Sequence, residues 1–153
     1  MKLAYDLEIS EIDIKIIGLL QEDSRSFSKI ADKLDVAVGT VYNHVRKLED
    51  KGILKGYTVK VDFDRLGYSL TGIILIQVDG NYRTEVEKEL AQLCDVIAIY
   101  DITGEYDMLV IARFKDKTML NSFIKNIQKR SKVKKTIVNV ALDVLKEDFR
   151  VKL

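Results

Sequence analysis

Along residues 10–51 apolar side chains return every three or four positions, the spacing that sets them along one side of successive helices. Three short helices are expected there. The first opens at Ser10, whose hydroxyl can cap it while Asp13, three residues on, reaches back as a capping box; Ile12, Ile16, Leu19 and Leu20 form its inward stripe. Ser26 is the expected cap of the second, which turns Phe27, Ile30, Ala31 and Leu34 inward. Asp35 and Val36 make the turn into a third helix over about residues 38–51, with Val41, Val45 and Leu48 inward and Gly52 as its C-terminal stop. Residues 53–61 read as a strand or ribbon.

After a polar connection, residues 62–69, the pattern becomes strand-like runs alternating with amphipathic helices. Strands are expected at 70–78, 98–103, 108–114 and 136–144, the last with Val138, Val140, Leu142 and Val144 on one face. Val86, Leu90 and Leu93 mark one intervening helix, and Leu120, Phe123, Ile124 and Ile127 the other. Gly104-Glu105-Tyr106-Asp107 is short enough to join the middle strands as an antiparallel hairpin. The resulting order is strand-helix-strand-strand-helix-strand, the ferredoxin-like split. The fold class is therefore α+β: a winged-helix-like helix-turn-helix domain at 1–61, a linker at 62–69, and a ferredoxin-like domain with an antiparallel sheet at 70–153.

Two helices can cover only one face of that sheet. Yet Ile73-Ile74-Leu75-Ile76 and Met108-Leu109-Val110-Ile111 are apolar on both sides of the strand. Leaving such residues in water forfeits about 1.5 to 3 kcal/mol each, so the open face calls for a cover, and a second copy of the chain is the economical one. The helical domain has already spent its own apolar residues on a three-helix core.

Composition narrows the function classes. With 25 basic and 24 acidic side chains the formal charge is +1, which excludes the polycation character of a non-specific DNA packer. Cys94 is the only cysteine, so neither an intrachain disulfide nor a metal site on a cysteine pair is available, and a reducing cytoplasm fits. Apolar runs are far too short for a membrane span, and residues 1–6 lack the core of a signal peptide.

The third helix carries the candidate chemistry. Away from its valines it presents Gly39, Tyr42, Asn43, Arg46, Lys47 and Asp50, with Thr40 and His44 on the flanks. Arg46 suits a bidentate pair to guanine and Asn43 one to adenine, while Tyr42 and Thr40 suit a phosphate or a thymine methyl. Arg25 and Ser26, at the start of the second helix, suit a phosphate. His44, a lone histidine without a second ligand nearby, reads as a surface or phosphate-contacting residue, not a metal ligand. A mixed charge run is more often an ordinary solvated face, and Arg46, Lys47, Lys51, Lys55 and Lys60 exceed Asp35, Glu49 and Asp50 by only two. The three-helix pattern with a tight turn, together with a dimerising partner domain that would space two heads, favours double-stranded DNA.

The run SEIDIKIIGLL at 10–20, Ser24-Arg25, VRKLEDKGILKGY at 45–57, Leu66-Gly67-Tyr68 and Thr103-Gly104-Glu105-Tyr106-Asp107 together resemble the Lrp/AsnC (feast/famine) family of transcription regulators. The resemblance covers nearly the whole chain. It implies DNA binding, dimers assembling to tetramers or octamers, and control by small molecules, often amino acids. It also implies an effector cleft near Thr103, Gly104, Glu105, Tyr106 and Asp107, where Gly104 would let the backbone approach the ligand and Asp107 or Glu105 would hold its ammonium. The same loop also reads as a plain hairpin turn. Glu105 stands where the family more often has Asp, and Ala37 where Ser commonly caps the third helix, so Asp35 or bare backbone must serve there.

Two rival readings are a siroheme-decarboxylase-like enzyme and a metabolite-binding assembly module that does not bind DNA. The enzyme would need histidines in the second domain, and the only histidine is His44, in the first. The retained Asn43 and Arg46 speak against the module. No catalytic residue, cofactor or metal site is expected.

Overall fold

The computed structural model describes residues 9–22, 26–130, 132–151 and 153. They form two compact units: residues up to Val59 with those from Asp148 onward, and Lys60–Glu147.

The first unit holds three helices, α1 (Glu11–Glu22), α2 (Phe27–Leu34) and α3 (Val38–Asp50). Ile16, Ile30, Ala31, Val41 and Val45 meet in its core, with Ile12, Leu19, Leu20, Phe27, Leu34, Val36 and Leu54 packed around them. α1 begins with the expected capping box: the Ser10 hydroxyl and amide donate to the Asp13 carboxylate at 2.6 and 2.8 Å, and the Asp13 amide donates back at 3.3 Å. Ser26 accepts the Lys29 amide at the start of α2. Asp35 ends α2 in the left-handed conformation (φ 53°, ψ 49°), a geometry its short polar side chain tolerates. α3 starts on bare backbone at Ala37, whose carbonyl accepts the Thr40 amide at 2.9 Å. Its far end is a Schellman turn, in which Gly52 (φ 67°) donates to the Glu49 carbonyl and Ile53 to that of Leu48.

The expected strand or ribbon over 53–61 is corrected: among the described residues this segment makes no strand pairing and belongs to no sheet. Strand hydrogen bonds need a neighbouring edge, and the described residues supply none there.

The second unit contains β1 (Leu70–Val78), α4 (Arg83–Ala91), β2 (Val96–Asp101), β3 (Met108–Phe114), α5 (Lys117–Gln128) and β4 (Val133–Val140). Its sheet has the order β2-β3-β1-β4 with every pair antiparallel, the ferredoxin-like arrangement. Two expected strands are shifted. β2 starts at Val96 and stops at Asp101, because Ile102 turns to bond the Asp107 carbonyl. β4 spans 133–140 instead of 136–144, since Gly72 opposite Val140 is its last partner on β1; Leu142 beyond it is fully exposed. Both edge strands are bulged, β2 at Ile97 and β4 at Lys134.

Alternation divides the sheet sharply. Ile74, Ile76, Met108, Val110, Ala112 and Phe114 are buried with Val86, Leu90, Leu120, Phe123 and Ile127 of the helices. On the other face Ile73, Leu75, Leu109 and Ile111 are only half-buried, and Ile137 and Tyr100 keep 38% and 44% of their surface in solvent. Near one end of the strands, a β-carbon at Gly72 would lie 3.1 Å from the Phe114 ring, with Ile74 and Leu120 behind it. Gly72→Val should therefore destabilise this unit by about 1 to 3 kcal/mol. The readout is the urea midpoint, and an unshifted midpoint would mean that the ring can swing aside.

Candidate nucleic-acid interface and effector loop

α3 has two sides of opposite character. Val41, Val45 and Leu48 are buried, while Gly39, Tyr42, Asn43, Arg46, Lys47 and Asp50 are all exposed and Thr40 is half-buried beside them. Thus Tyr42, Asn43, Arg46 and Lys47 stand together as a polar, donor-rich row along just over one turn. The Phe27 ring braces Tyr42 edge-on, with centroids 6.4 Å apart. Ser26 is spent on capping α2 and on the Ser28 hydroxyl at 2.7 Å. Ser24 and Arg25 lie outside the described residues.

His44 differs from its expected place at a phosphate. Three positions after Val41 and next to Val45, it falls at the rim of the buried stripe, where a side chain turns toward the neighbouring helix. Its Nδ1 lies 2.6 Å from Oδ1 of Asp13, which is 1% exposed. The histidine is thus a brace between α3 and the start of α1. Burial alone would push the Asp13 carboxyl up. Hydrogen bonds from the Ser10 hydroxyl, His44 and the Ser10 amide, with the histidine's charge, outweigh it and hold the carboxyl at about 2 instead of 3.8. The clue in the sequence was an acid already committed to a capping box, facing a polar residue at the edge of an apolar stripe.

Sequence reasoning did not foresee the groove beside this row. Tyr57, Thr58 and Val59 run past α3 and enclose about 640 Å³ with Phe27, Tyr42, Val45, Arg46 and Glu49. The Tyr57 hydroxyl donates to Glu49 at 3.2 Å, and burial together with that carboxylate raises its pKa.

The loop at 103–107 is held to the sheet by its acidic residues. Gly104 has φ 118°, so glycine is needed for the bend itself. An Asp107 carboxylate oxygen accepts the Val78 amide at 2.9 Å, its amide donates to the Ile76 carbonyl at 3.0 Å, and Arg83 donates to its carbonyl at 3.3 Å. Glu105 pairs with Lys135 at 2.8 Å, and Gln77 donates to its carbonyl at 3.0 Å. Hydrogen bonding to Glu105 raises the pKa of Lys135, whose ammonium also lies 5.3 Å from the centroid of the Tyr106 ring. Thr103 is exposed, and the Tyr106 hydroxyl is buried. No group of three histidine, cysteine or acidic side chains that could hold a metal ion occurs among the described residues.

Comparison with known proteins agrees with both units. Residues 71–151 match the family model of the Lrp/AsnC ligand binding domain, and residues 9–55 that of a winged helix-turn-helix DNA-binding domain. The chain is 48% identical to an HTH-type transcriptional regulator of Pyrococcus furiosus over 94% of its own length and 98% of the relative's. It is 34% identical to the HTH-type transcriptional regulator FL11 of Pyrococcus horikoshii, covering 91% and 93% of the two chains. Among solved structures, the feast or famine regulatory protein of M. tuberculosis complexed with L-methionine shares the fold with a TM-score of 0.86 at 22% identity, over 95% and 99% of the chains. E. coli AsnC does so with a TM-score of 0.85, at the same identity and coverage.

Because the Asp13 carboxyl sits below its ordinary value, its charge stabilises the folded state fully above about pH 4, and that contribution is lost as pH falls toward 2. The amount at stake is about 2 kcal/mol. Asp13→Asn should therefore lower the urea midpoint near neutral pH, with the gap to wild type closing between about pH 4 and pH 2. A gap constant across that window would deny the charge its role.

Proposed function

Since the chain belongs to the Lrp/AsnC family of transcription regulators, we propose that it reads duplex DNA as a twofold dimer through the outward row of α3 and answers to an amino acid at the 103–107 loop. The observation that carries this reading is the exposure of Tyr42, Asn43, Arg46 and Lys47 opposite a fully buried stripe on the same helix. Arg46 gives guanine two parallel donors, Asn43 gives adenine a donor and an acceptor, and Tyr42, Thr40, Lys47 and the Ser26 end of α2 serve the backbone. Arg25, as the neighbouring cation, is assigned to a phosphate as well.

Dimerisation is supported by the open sheet face, where Ile73, Leu75, Leu109, Ile111 and Ile137 form an apolar surface that a second copy would bury. A twofold pair would set two α3 helices in successive major grooves, about 34 Å apart. Further assembly to tetramers or octamers would bring the 103–107 loops of neighbouring dimers into one cleft. There Gly104 leaves room for a ligand's backbone atoms. The loop's negative charge is less available than its composition suggests, because Lys135 already neutralises Glu105 and Asp107 bonds the sheet. An effector amino acid would have to displace Lys135 or use backbone carbonyls. That such a ligand is an amino acid is favoured by the L-methionine complex of the mycobacterial relative. No helix among the described residues is long and apolar enough to cross a membrane, and a reducing cytoplasm suits the exposed thiol of Cys94.

The test is selection of duplexes from a random pool, followed by binding with and without each amino acid. Arg46→Ala should lose about 1 to 3 kcal/mol at one base position; a sequence-blind loss would assign Arg46 to phosphate. Leu75→Asp should convert the dimer to monomers in light scattering and abolish binding to paired half-sites. Affinity indifferent to every amino acid would remove the sensing part of the proposal.

A further inference from the structure

Among the described residues the open sheet face contains one buried charge, surrounded mostly by apolar residues. Arg113 on β3 lies opposite Thr71 of β1 and shares the outward side with Leu109 and Ile111, yet it is only 7% exposed. Two distant stretches of chain bury it. Its Nη2 donates to Glu147 at 2.5 Å, and its guanidinium carbon stands 4.8 Å from the centroid of the Phe63 ring. Nε is buried without a hydrogen-bond partner among the described residues.

Phe63 is itself fixed. Its carbonyl accepts the amides of Leu66 and Tyr68 at 3.1 and 2.9 Å, its ring meets that of Tyr68 edge-on, and Lys115 covers the Tyr68 ring at 5.1 Å. The polar connection at 62–69 is therefore a folded turn seated on the sheet.

Glu147 is the last residue of the sheet unit and Phe63 lies three residues after its first, Lys60. The chain passes between the two units only at these two places, after Val59 and after Glu147. One buried side chain thus grips both tethers at their roots. Packing alone would be served as well by an aliphatic residue, since a buried ion pair rarely outperforms one in stability. What the arginine adds is direction, because the fork fixes the carboxylate and the flat face fixes the ring.

We propose that Arg113 is a positioning residue that clamps both tethers to the sheet and so holds the two reading heads of the dimer at one fixed spacing. This rests on the dimeric DNA-binding reading above. Released from the clamp, the ten residues 60–69 would span about 17 Å as a flexible chain. That is about half the 34 Å helical repeat, enough for a head to follow a half-site shifted to the opposite side of the duplex. Arg113 also borders the apolar face that a second copy would cover, so dimer packing and tether placement share one surface.

The experiment uses duplexes selected by the wild-type protein, with their two half-sites respaced in single base-pair steps across one helical turn. Wild type should bind the half-turn offset about tenfold more weakly than the in-phase site, and Arg113→Met should shrink that ratio to about twofold or less. Glu147→Gln, a milder change at a partly exposed position, should give an intermediate ratio. Hydrogen exchange provides a second readout. The amides of Leu66, Gly67 and Tyr68 should exchange at least about tenfold faster in Arg113→Met, while those of β1 and β3 stay protected. An unaltered phase ratio in both variants with unaltered exchange at 66–68 would overturn the clamp. Wild-type protein that binds no duplex, or stays monomeric, would instead overturn the dimeric regulator reading, and exchange alone would then decide for or against the clamp.

Discussion

The presentation of α3 depends on a single buried carboxylate. Asp13 accepts three hydrogen bonds, two from Ser10 and one from His44, and it is almost wholly removed from water. A carboxylate so placed without donors would cost several kcal/mol, so the start of α1 and the rotation of α3 are settled together. Rolling α3 by one residue turns it about 100°. That would break the His44 contact and bring Val41 and Val45 toward solvent, so polar anchor and apolar stripe select the same orientation. The face left outward is the one that carries Asn43 and Arg46.

The second unit is organised by a different constraint. Its sheet is covered by α4 and α5 on one side, and the other side is largely apolar with no helix packed over it among the described residues. At one end of that open side, Arg113 draws in Phe63 and Glu147 and closes a small part of it. The remaining surface, from Ile73 and Ile111 to Leu75, Leu109 and Ile137, forms a contiguous patch set by the pairing register.

Much of this was legible from periodicity. The three helices, β1 and β3 lie where apolar spacing put them, because their burial is local to each element and a helical or alternating stripe records it directly. The limits of β2 and β4 were not legible, since a strand ends where its neighbour's hydrogen bonds end, and that length is written in another part of the chain. The same holds for residues 53–61, whose strand-like composition finds no edge among the described residues. In the candidate site, the outward row of α3 followed from the helical wheel. The role of His44 did not, because its partner lies 31 residues away and only packing of α1 on α3 brings them together. Nor did the grip of Lys135 on Glu105, which alters the electrostatics of the loop without altering its shape.

The bulges at Ile97 and Lys134 bear on how this molecule avoids the usual hazard of open sheets. An outermost strand with straight, unpaired amides is a template onto which further chains can stack without end. Here each rim carries an extra residue that breaks the ladder, and one of the two is a lysine whose charge resists being sandwiched. Growth by strand addition is therefore discouraged on both flanks, while the apolar broad side stays open to a face-to-face contact. A twofold contact through that side would close on itself after two, which would favour finite particles over fibres.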